Sequence, residues 1–386
     1  MRARTKTVRI AAGLATTPSE AAGAVAAELR DAEVDLAFVF LSPQHLAEAE
    51  EAVAAVNDEL APRNLVGCVA QGVIAGSREL EEGPGVAVWG ASLPNAEIET
   101  FHAVAFSLDD EGLGVAGFPD LEETPSLVAM LVDPFTFPAA PFLTALTEEH
   151  PGLPVVGGIA SGAGVPGAQA LVIGDRVVDE GAVGAVLSGV PVRTLVSQGC
   201  SPIGREAVIT AAEDNVVYEL AGEPALERLR GDLESITTEQ RQLVAQGGLL
   251  AGLVIDENRS EYRRGDFLIR GVVGLDEEAG AIAVGEPVRV GQTLRFHVRD
   301  AGSADEDLYE GLRLALAGER SAGALLFTCN GRGTNMFSEP DHDARAVAEA
   351  IGGRPLAGLF CGGEIGPVGG RAFLHGFTAT LALFLE

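Results

Sequence analysis

The feature that most constrains this chain is a recurrence. One order of elements can be read three times: a short apolar run, a polar loop, a helix, a glycine-punctuated apolar run and an outer apolar run. In the first copy, residues 34–41 are rich in Val and Phe and too short for a buried helix, so they predict a buried strand. Ser42-Pro43 then opens a helix over 44–60. A glycine-bearing strand over 64–76 follows, with outer strands at 86–92 and 98–108. The second copy has a strand at 127–132, Asp133-Pro134, a helix at 140–149, a strand at 154–160 and outer strands at 169–173 and 184–189. The third has a strand at 323–329, a loop at 330–333, a helix at 341–351 closed by Gly352-Gly353, and strands at 356–361 and 373–384. The second strands line up as Val66-Gly67-Cys68, Val156-Gly157-Gly158 and Ala357-Gly358-Leu359. The spacing is too irregular for a solenoid. Repeated β-α-β-β units imply mixed, largely antiparallel sheets with helices on one face, an α+β architecture.

At 386 residues the chain is longer than one ordinary domain. A break falls at Gly222-Glu223-Pro224. Before it lies a hairpin-like stretch, 192–220; after it come a helix over 224–233 and a capping box, Thr237-Thr238-Glu239-Gln240, starting a helix to Gly247. This places two domains at 1–221 and 222–386. The second continues with strands at 249–255, 267–273, 281–284 and 293–298, and with a box at Ser303–Glu306 for a helix ending at Gly318. Thr17-Pro18-Ser19-Glu20 reads as the same device for a helix through Leu29.

Charge removes whole classes of function. With 26 basic and 56 acidic residues the net charge is −30, which repels phosphate backbones and anionic lipid surfaces. Neither nucleic acid nor membrane is expected as a partner. The acids are scattered (Glu50-Glu51, Glu81-Glu82, Asp109-Asp110-Glu111, Glu148-Glu149, Asp305-Glu306-Asp307), as on a solvated surface. Lys6 is the single lysine. No apolar run approaches the roughly 18 residues of a membrane span, and the N-terminus is a poor signal peptide. Cys68, Cys200, Cys329 and Cys361 stand too far apart for a metal finger and are too few for a disulfide framework. A reducing cytoplasm is the simplest location, and no cofactor is expected.

The chain has no phosphate loop, no His-Glu-x-x-His pair and no nucleophile elbow. Its six histidines form no metal-spaced pair. The candidate chemistry lies at strand ends beside glycines. In Thr328-Cys329-Asn330-Gly331-Arg332-Gly333 a buried strand delivers Cys329 and Asn330 to its carboxyl end, and Arg332 offers a rigid fork that suits a carboxylate. The competing reading is a structural turn whose arginine pairs with Glu339 or Asp341. In Cys361-Gly362-Gly363-Glu364-Ile365-Gly366-Pro367, Glu364 is the one charge in an apolar passage. Arg332 and Glu364 either form a salt bridge or flank a pocket for the carboxylate and ammonium of an amino acid. Ser197-Gln198-Gly199-Cys200-Ser201-Pro202 presents Gln198, Cys200 and Ser201 at a turn, or is simply a β-turn with a buried cysteine. Ser161 has no partnered base and is a weak nucleophile. A reactive thiol needs a base or a positive neighbour, and small buried cysteines are the commoner reading.

These same words resemble the FIST proteins, which pair a FIST N domain with a FIST C domain. The N-domain likeness, from about Val34 to Leu220, rests on Ala37-Phe38-Val39-Phe40-Leu41-Ser42, Val66-Gly67-Cys68, Pro154-Val155-Val156-Gly157-Gly158 and Gln198-Gly199-Cys200-Ser201-Pro202-Ile203-Gly204. The C-domain likeness, from about Pro224 to Pro367, rests on Gly265-Asp266-Phe267-Leu268, Phe327-Thr328-Cys329-Asn330-Gly331-Arg332-Gly333 and Leu359-Phe360-Cys361-Gly362-Gly363-Glu364-Ile365-Gly366-Pro367. The resemblance implies a cytoplasmic signal-transduction sensor of a small ligand, amino acids among the candidates. It also implies no output domain of its own, so that an unidentified signalling protein is the partner. Cys329, Asn330, Arg332, Cys361, Gly363, Glu364, Gln198, Cys200 and Ser201 are the candidate ligand-binding residues. The alternative is a cysteine-dependent hydrolase of a small amide or thioester.

Overall fold

The computed structural model describes residues 7–108, 112–259, 261–262 and 265–386. Lys6 and the acidic run Asp109-Asp110-Glu111 lie outside the described residues. The fold is α+β, and the chain forms two compact units. One runs to Val196 and resumes over Leu308–Leu374 and Thr378–Glu386; the other comprises Ser197–Asp307 with His375–Phe377.

Three copies of one motif build the first unit. The first copy has β1 (Arg9–Ala15), α1 (Pro18–Leu29), β2 (Leu36–Leu41), α2 (Ala49–Leu60), β3 (Leu65–Val69), a small hairpin of β4 (Val73–Ala75) and β5 (Arg78–Leu80), and β6 (Val86–Ser92). The second has β7 (Glu97–Leu108), β8 (Gly112–Ala116), β9 (Leu127–Val132), α3 (Ala139–Glu149), β10 (Val155–Ile159), a hairpin of β11 (Leu171–Ile173) and β12 (Arg176–Val178), and β13 (Ala182–Ser188). The third opens with β14 (Val192–Gln198).

The chain then builds the second unit. Its elements are β15 (Cys200–Pro202), β16 (Ala207–Glu213), β17 (Val216–Leu220), β18 (Glu223–Pro224), α4 (Ala225–Glu234), α5 (Thr238–Leu243), β19 (Leu249–Val254), β20 (Phe267–Asp276), β21 (Ala281–Val284) and β22 (Thr293–Arg299). The order β22-β16-β17-β21-β20-β19 closes through a β22–β19 pairing into a six-stranded barrel. The excursion begins and ends side by side. Gln198 N donates to Asp307 Oδ2 at 2.5 Å, and Cys200 pairs with Arg299. The sequence boundary at 221/222 falls inside this unit, between β17 and α4. The third copy resumes with α6 (Ala301–Ala315), β23 (Ser321–Cys329), α7 (His342–Ala350), β24 (Leu356–Cys361), β25 (Glu364–Val368), β26 (Arg371–His375) and β27 (Thr378–Leu385).

Each copy contributes a parallel pair joined by a helix and flanked by its last strand: β6-β2-β3, β13-β9-β10 and β27-β23-β24. The hairpins do not stay at home. Strands β4 and β5 of the first copy extend the sheet of the third, β11 and β12 extend that of the first, and β25 and β26 extend that of the second. Register confirms the equivalence read from sequence. Gly67 lies opposite Val39, Gly157 opposite Met130 and Gly358 opposite Leu326. The inner faces of the three sheets share one core, in which Phe40 meets Phe327 edge-on and Trp89 packs on Phe384. The outer faces are covered by helices: α1 and α2 on the first sheet, α3 on the second, α6 and α7 on the third. Being covered on both sides, β2, β9, β23 and β24 are buried along their whole length. That is why they read as unbroken apolar runs.

Two caps differ from expectation. Thr17 Oγ1 bonds Glu20 Oε2 at 2.9 Å and not the helix backbone. Helix α6 is capped by Asp300, whose carboxylate accepts from Gly302 N and Ser303 N, so Ser303 lies inside the helix. The box at Thr237 and Gln240 forms as expected. The predicted helix over 44–60 is a 3-10 turn (Pro43–Glu48) followed by α2, and Ser42 Oγ accepts from Gly85 N instead of capping the helix.

Candidate functional site

Strand β23 ends at Cys329, and the loop behind it turns back on the strand. Arg332 N donates to Cys329 O at 2.8 Å, Gly331 N approaches Cys329 Sγ at 3.4 Å, and Asn330 N donates to Cys361 O at 2.9 Å. The turn drives Arg332 inward until its side chain is fully buried. A buried guanidinium needs a counter-charge. Asp343, in the first turn of α7, provides it: Nε to Oδ2 is 2.7 Å and Nη2 to Oδ1 is 2.8 Å. Thr328 Oγ1 donates to Asp343 Oδ2 at 2.7 Å, and His342 Nδ1 lies 3.0 Å from Oδ1. Phe337 stacks on His342 at 3.4 Å between centroids, and the Arg332 guanidinium carbon stands 5.3 Å from the Phe337 ring centre.

This arrangement fixes the charges. Burial alone pushes Asp343 up, but Arg332 and the hydrogen bonds outweigh it and hold the carboxyl well below the usual range. The expected partners Glu339 and Asp341 are therefore corrected to Asp343. Helix α7 starts at His342, which leaves Asp341 at the rim, bonding Glu79 N at 2.7 Å. Glu79 itself is buried and accepts from Ala344 N at 2.8 Å. Its burial, together with the nearby Asp343 charge, lifts it to about 7.

Glu364 opens β25 and is also fully buried. Its Oε2 accepts from Thr378 N at 3.1 Å and Thr378 Oγ1 at 2.9 Å. Burial raises it to about 8 against hydrogen bonds from Thr378 and Cys329 and the attraction of Arg332. Arg332 and Glu364 thus share one electrostatic environment, yet the ion pair that forms is Arg332–Asp343. Five buried polar atoms on the residues of this loop, its helix contact and the adjoining strands have no hydrogen-bond partner among the described residues: Arg332 Nη1, Glu364 Oε1, Asn330 Oδ1, Thr380 Oγ1 and Glu79 Oε2.

Cys361 is buried, and Gly158 of the neighbouring copy leaves it room: a Cβ there would lie 2.2 Å from Cys361 Sγ. Burial first, then Glu364, Cys68 and Cys329, raise the Cys361 thiol well above its ordinary value; burial does the same to Cys68. Gly363 is buried and its carbonyl accepts from Ile159 N at 2.8 Å. Ser161 is a tie between copies. Its Oγ donates to Phe360 O at 2.7 Å and accepts from Gln71 N at 2.9 Å.

The remaining candidates belong to the second unit. Gln198 Nε2 donates to Phe267 O at 2.8 Å, Cys200 is buried with Leu250, Val254, Phe267 and Ile269, and Ser201 pairs with Val298. Cys329, Asn330, Arg332, Cys361, Gly363 and Glu364 belong to the first unit. Asp343, Thr328, Thr378 and Glu79 complete the first-unit cluster, and sequence reasoning missed them. Asp343 carried a faint signal, an acid in the first turn of an amphipathic helix just after the arginine loop.

Comparison with known proteins places the chain. The FIST N domain model matches residues 35–223 and the FIST C domain model matches residues 225–367. The chain belongs to the FIST family. A protein from Mycobacterium tuberculosis is 43% identical over 393 residues, covering 98% of this chain and all of the relative; its name says only that it is uncharacterized. A Mycobacterium bovis protein, named in the same terms, is 42% identical over 387 residues, covering 98% of this chain and 99% of its own. FIST domains are associated with small-ligand sensing in signal transduction. In this FIST protein the two domain models meet between β17 and α4, so each contributes part of the barrel. The arginine loop, Asp343 and Glu364 all fall within FIST C. Among the described residues no helix is long and apolar enough to cross a membrane.

Proposed function

We propose that this FIST protein is a cytoplasmic sensor whose polar core around Arg332, Asn330, Cys329 and Glu364 responds to a small zwitterion of the amino-acid class, and that a partner signalling protein reads the response. The observation that carries this reading is the set of buried, unpartnered polar atoms. Leaving a buried donor or acceptor unsatisfied costs about 1–3 kcal/mol. Such atoms on the arginine loop and on the strands beside it are an unmet demand for hydrogen bonds. A carboxylate would satisfy Arg332 Nη1, and an ammonium would satisfy Glu364 Oε1 and Asn330 Oδ1. Since the atoms are buried, admitting such a ligand requires the 330–333 loop to open.

The cysteine-hydrolase alternative has weaker support. A nucleophilic thiol must ionise, and burial pushes Cys68 and Cys361 the other way. Titration calorimetry of the full chain against the twenty common amino acids tests the sensor. Binding by at least one of them is expected, together with its loss in Arg332→Lys. Absence of heat from every amino acid, with no shift in melting temperature, would sink the reading.

A further inference from the structure

The polar core occupies one end of the parallel strands, and a cavity of about 630 Å³ lies at the other. The segments that close β6, β13 and β27 all reach it, as Leu93-Pro94, Gly189-Val190-Pro191 and Leu385-Glu386. These are equivalent ends of the three copies, so the cavity sits where the threefold repeat converges. The same strand touches both places. Ala322 of β23 lines the cavity and Cys329 ends the strand, seven residues on, a span of about 23 Å at about 3.3 Å per residue.

The lining has two characters. Leu29, Leu93, Val190 and Leu385 give an apolar floor, each nearly buried. Four charged side chains stand at the mouth: Arg9, Glu28, Arg354 and Glu386. Two of these are spent on each other, since Arg354 and Glu386 form an ion pair that Arg320 joins at 3.4 Å. The other two are not. Arg9 Nη2 donates to the backbone carbonyl of Glu28 at 2.8 Å, and among the described residues neither Arg9 nor the Glu28 carboxylate forms an ion pair. One cation and one anion, adjacent and in no ion pair among the described residues, thus stand over an apolar floor, in a volume typical of small-molecule sites.

We propose that this cavity is a second small-molecule site, distinct from the polar core, for a zwitterion with an apolar body. The carboxylate of the ligand lies on Arg9, its ammonium on Glu28, and its apolar body on the floor. A lone anion or a lone cation would satisfy one rim charge and meet repulsion from the other.

A matched series tests this: L-phenylalanine, 3-phenylpropionate and 2-phenylethylamine, titrated calorimetrically into the full chain. Phenylalanine is expected to bind at least about tenfold more tightly than either analogue, a charge-assisted contact being lost in each. Arg9→Ala should erase its advantage over phenylethylamine, and Glu28→Gln its advantage over phenylpropionate. Ala322→Trp, which fills the cavity, should abolish all binding; both rim variants are at the surface and test the site even where Ala322→Trp fails to fold. The proposal is overturned by no binding of phenylalanine, by equal binding of all three compounds, or by binding indifferent to both rim variants. Phenylalanine binding lost in Arg332→Lys but kept in Arg9→Ala would also overturn it while leaving the sensor reading of the polar core in place.

Discussion

Arg332 and Asp343 meet through two hydrogen bonds of 2.7 and 2.8 Å, and neither side chain reaches solvent. Removing one partner of such a pair strands the other charge in the interior, a loss of about 3–5 kcal/mol. Asp343→Asn is therefore expected to lower the urea midpoint strongly. The double variant Arg332→Met with Asp343→Leu should recover most of that loss, because it buries no charge. A loss below about 1 kcal/mol in Asp343→Asn would show that Glu364 takes over as counter-ion, making the pair dispensable.

The repeat was visible in sequence because its physical cause is local. Strands covered on both faces must be apolar throughout, and Gly67, Gly157 and Gly358 mark one register position in each copy. The exchange of hairpins was not visible. Nothing in Val73-Ile74-Ala75 says that it pairs with Ala357-Gly358-Leu359, far along the chain, in preference to its own neighbours. The partner of Arg332 was hidden for a similar reason. Glu339, Asp341 and Asp343 are equivalent acids in one dimension, and only the start of α7 at His342 decides which of them faces inward. The spatial division was hidden because an inserted unit leaves no mark in composition where it begins and ends.

Stability should fall as pH rises through the neutral range. Glu364 holds its proton to about 8 in the folded chain, whereas an unfolded glutamate releases it near about 4.3. Between these values the native state binds more protons than the unfolded one, so unfolding becomes easier as pH increases. Glu79, raised to about 7, adds to the same slope over the lower part of the window. Asp343 acts in the opposite sense: its contribution is present above its unfolded value and is lost only as strong acid protonates it. Above the range in which the buried His297, lowered to about 4, works in the opposite sense, melting temperatures from pH 6.5 to 8.5 should decline in the parent chain and flatten in Glu364→Gln with Glu79→Gln. A decline of the same slope in the double variant would assign it to other groups.

The thiols of Cys68 and Cys361 should be inert in the native protein. Both are fully buried, and burial raises both above the ordinary thiol range. Each unit of pKa removes about tenfold of the reactive thiolate at neutral pH. Iodoacetamide at pH 7.5, followed by peptide mass spectrometry, should leave these two unmodified under native conditions and label all four cysteines in urea. Rapid native labelling of Cys361 would revive the nucleophile reading and contradict the burial described above.

The three equivalent glycines give the sharpest test of the repeat. A Cβ on Gly67 would stand 2.1 Å from Val39 O, on Gly157 1.8 Å from Met130 O, and on Gly358 1.8 Å from Leu326 O. In every case the obstacle is the backbone of the adjoining parallel strand, which cannot move aside without breaking the ladder. Each Gly→Ala change should therefore cost at least as much as ordinary overpacking, about 1–3 kcal/mol or more, and the three costs should be alike. Gly158→Ala is the contrast. Its obstacle is the Cys361 side chain, with Sγ at 2.2 Å and Cβ at 3.0 Å. Here Cys361→Ala removes the nearer atom and should restore part of the lost stability, whereas no side-chain substitution should rescue Gly67→Ala, Gly157→Ala or Gly358→Ala. Equal rescue in all four cases, or a tolerated alanine at any one of the three equivalent positions, would mean that the copies do not share one packing rule.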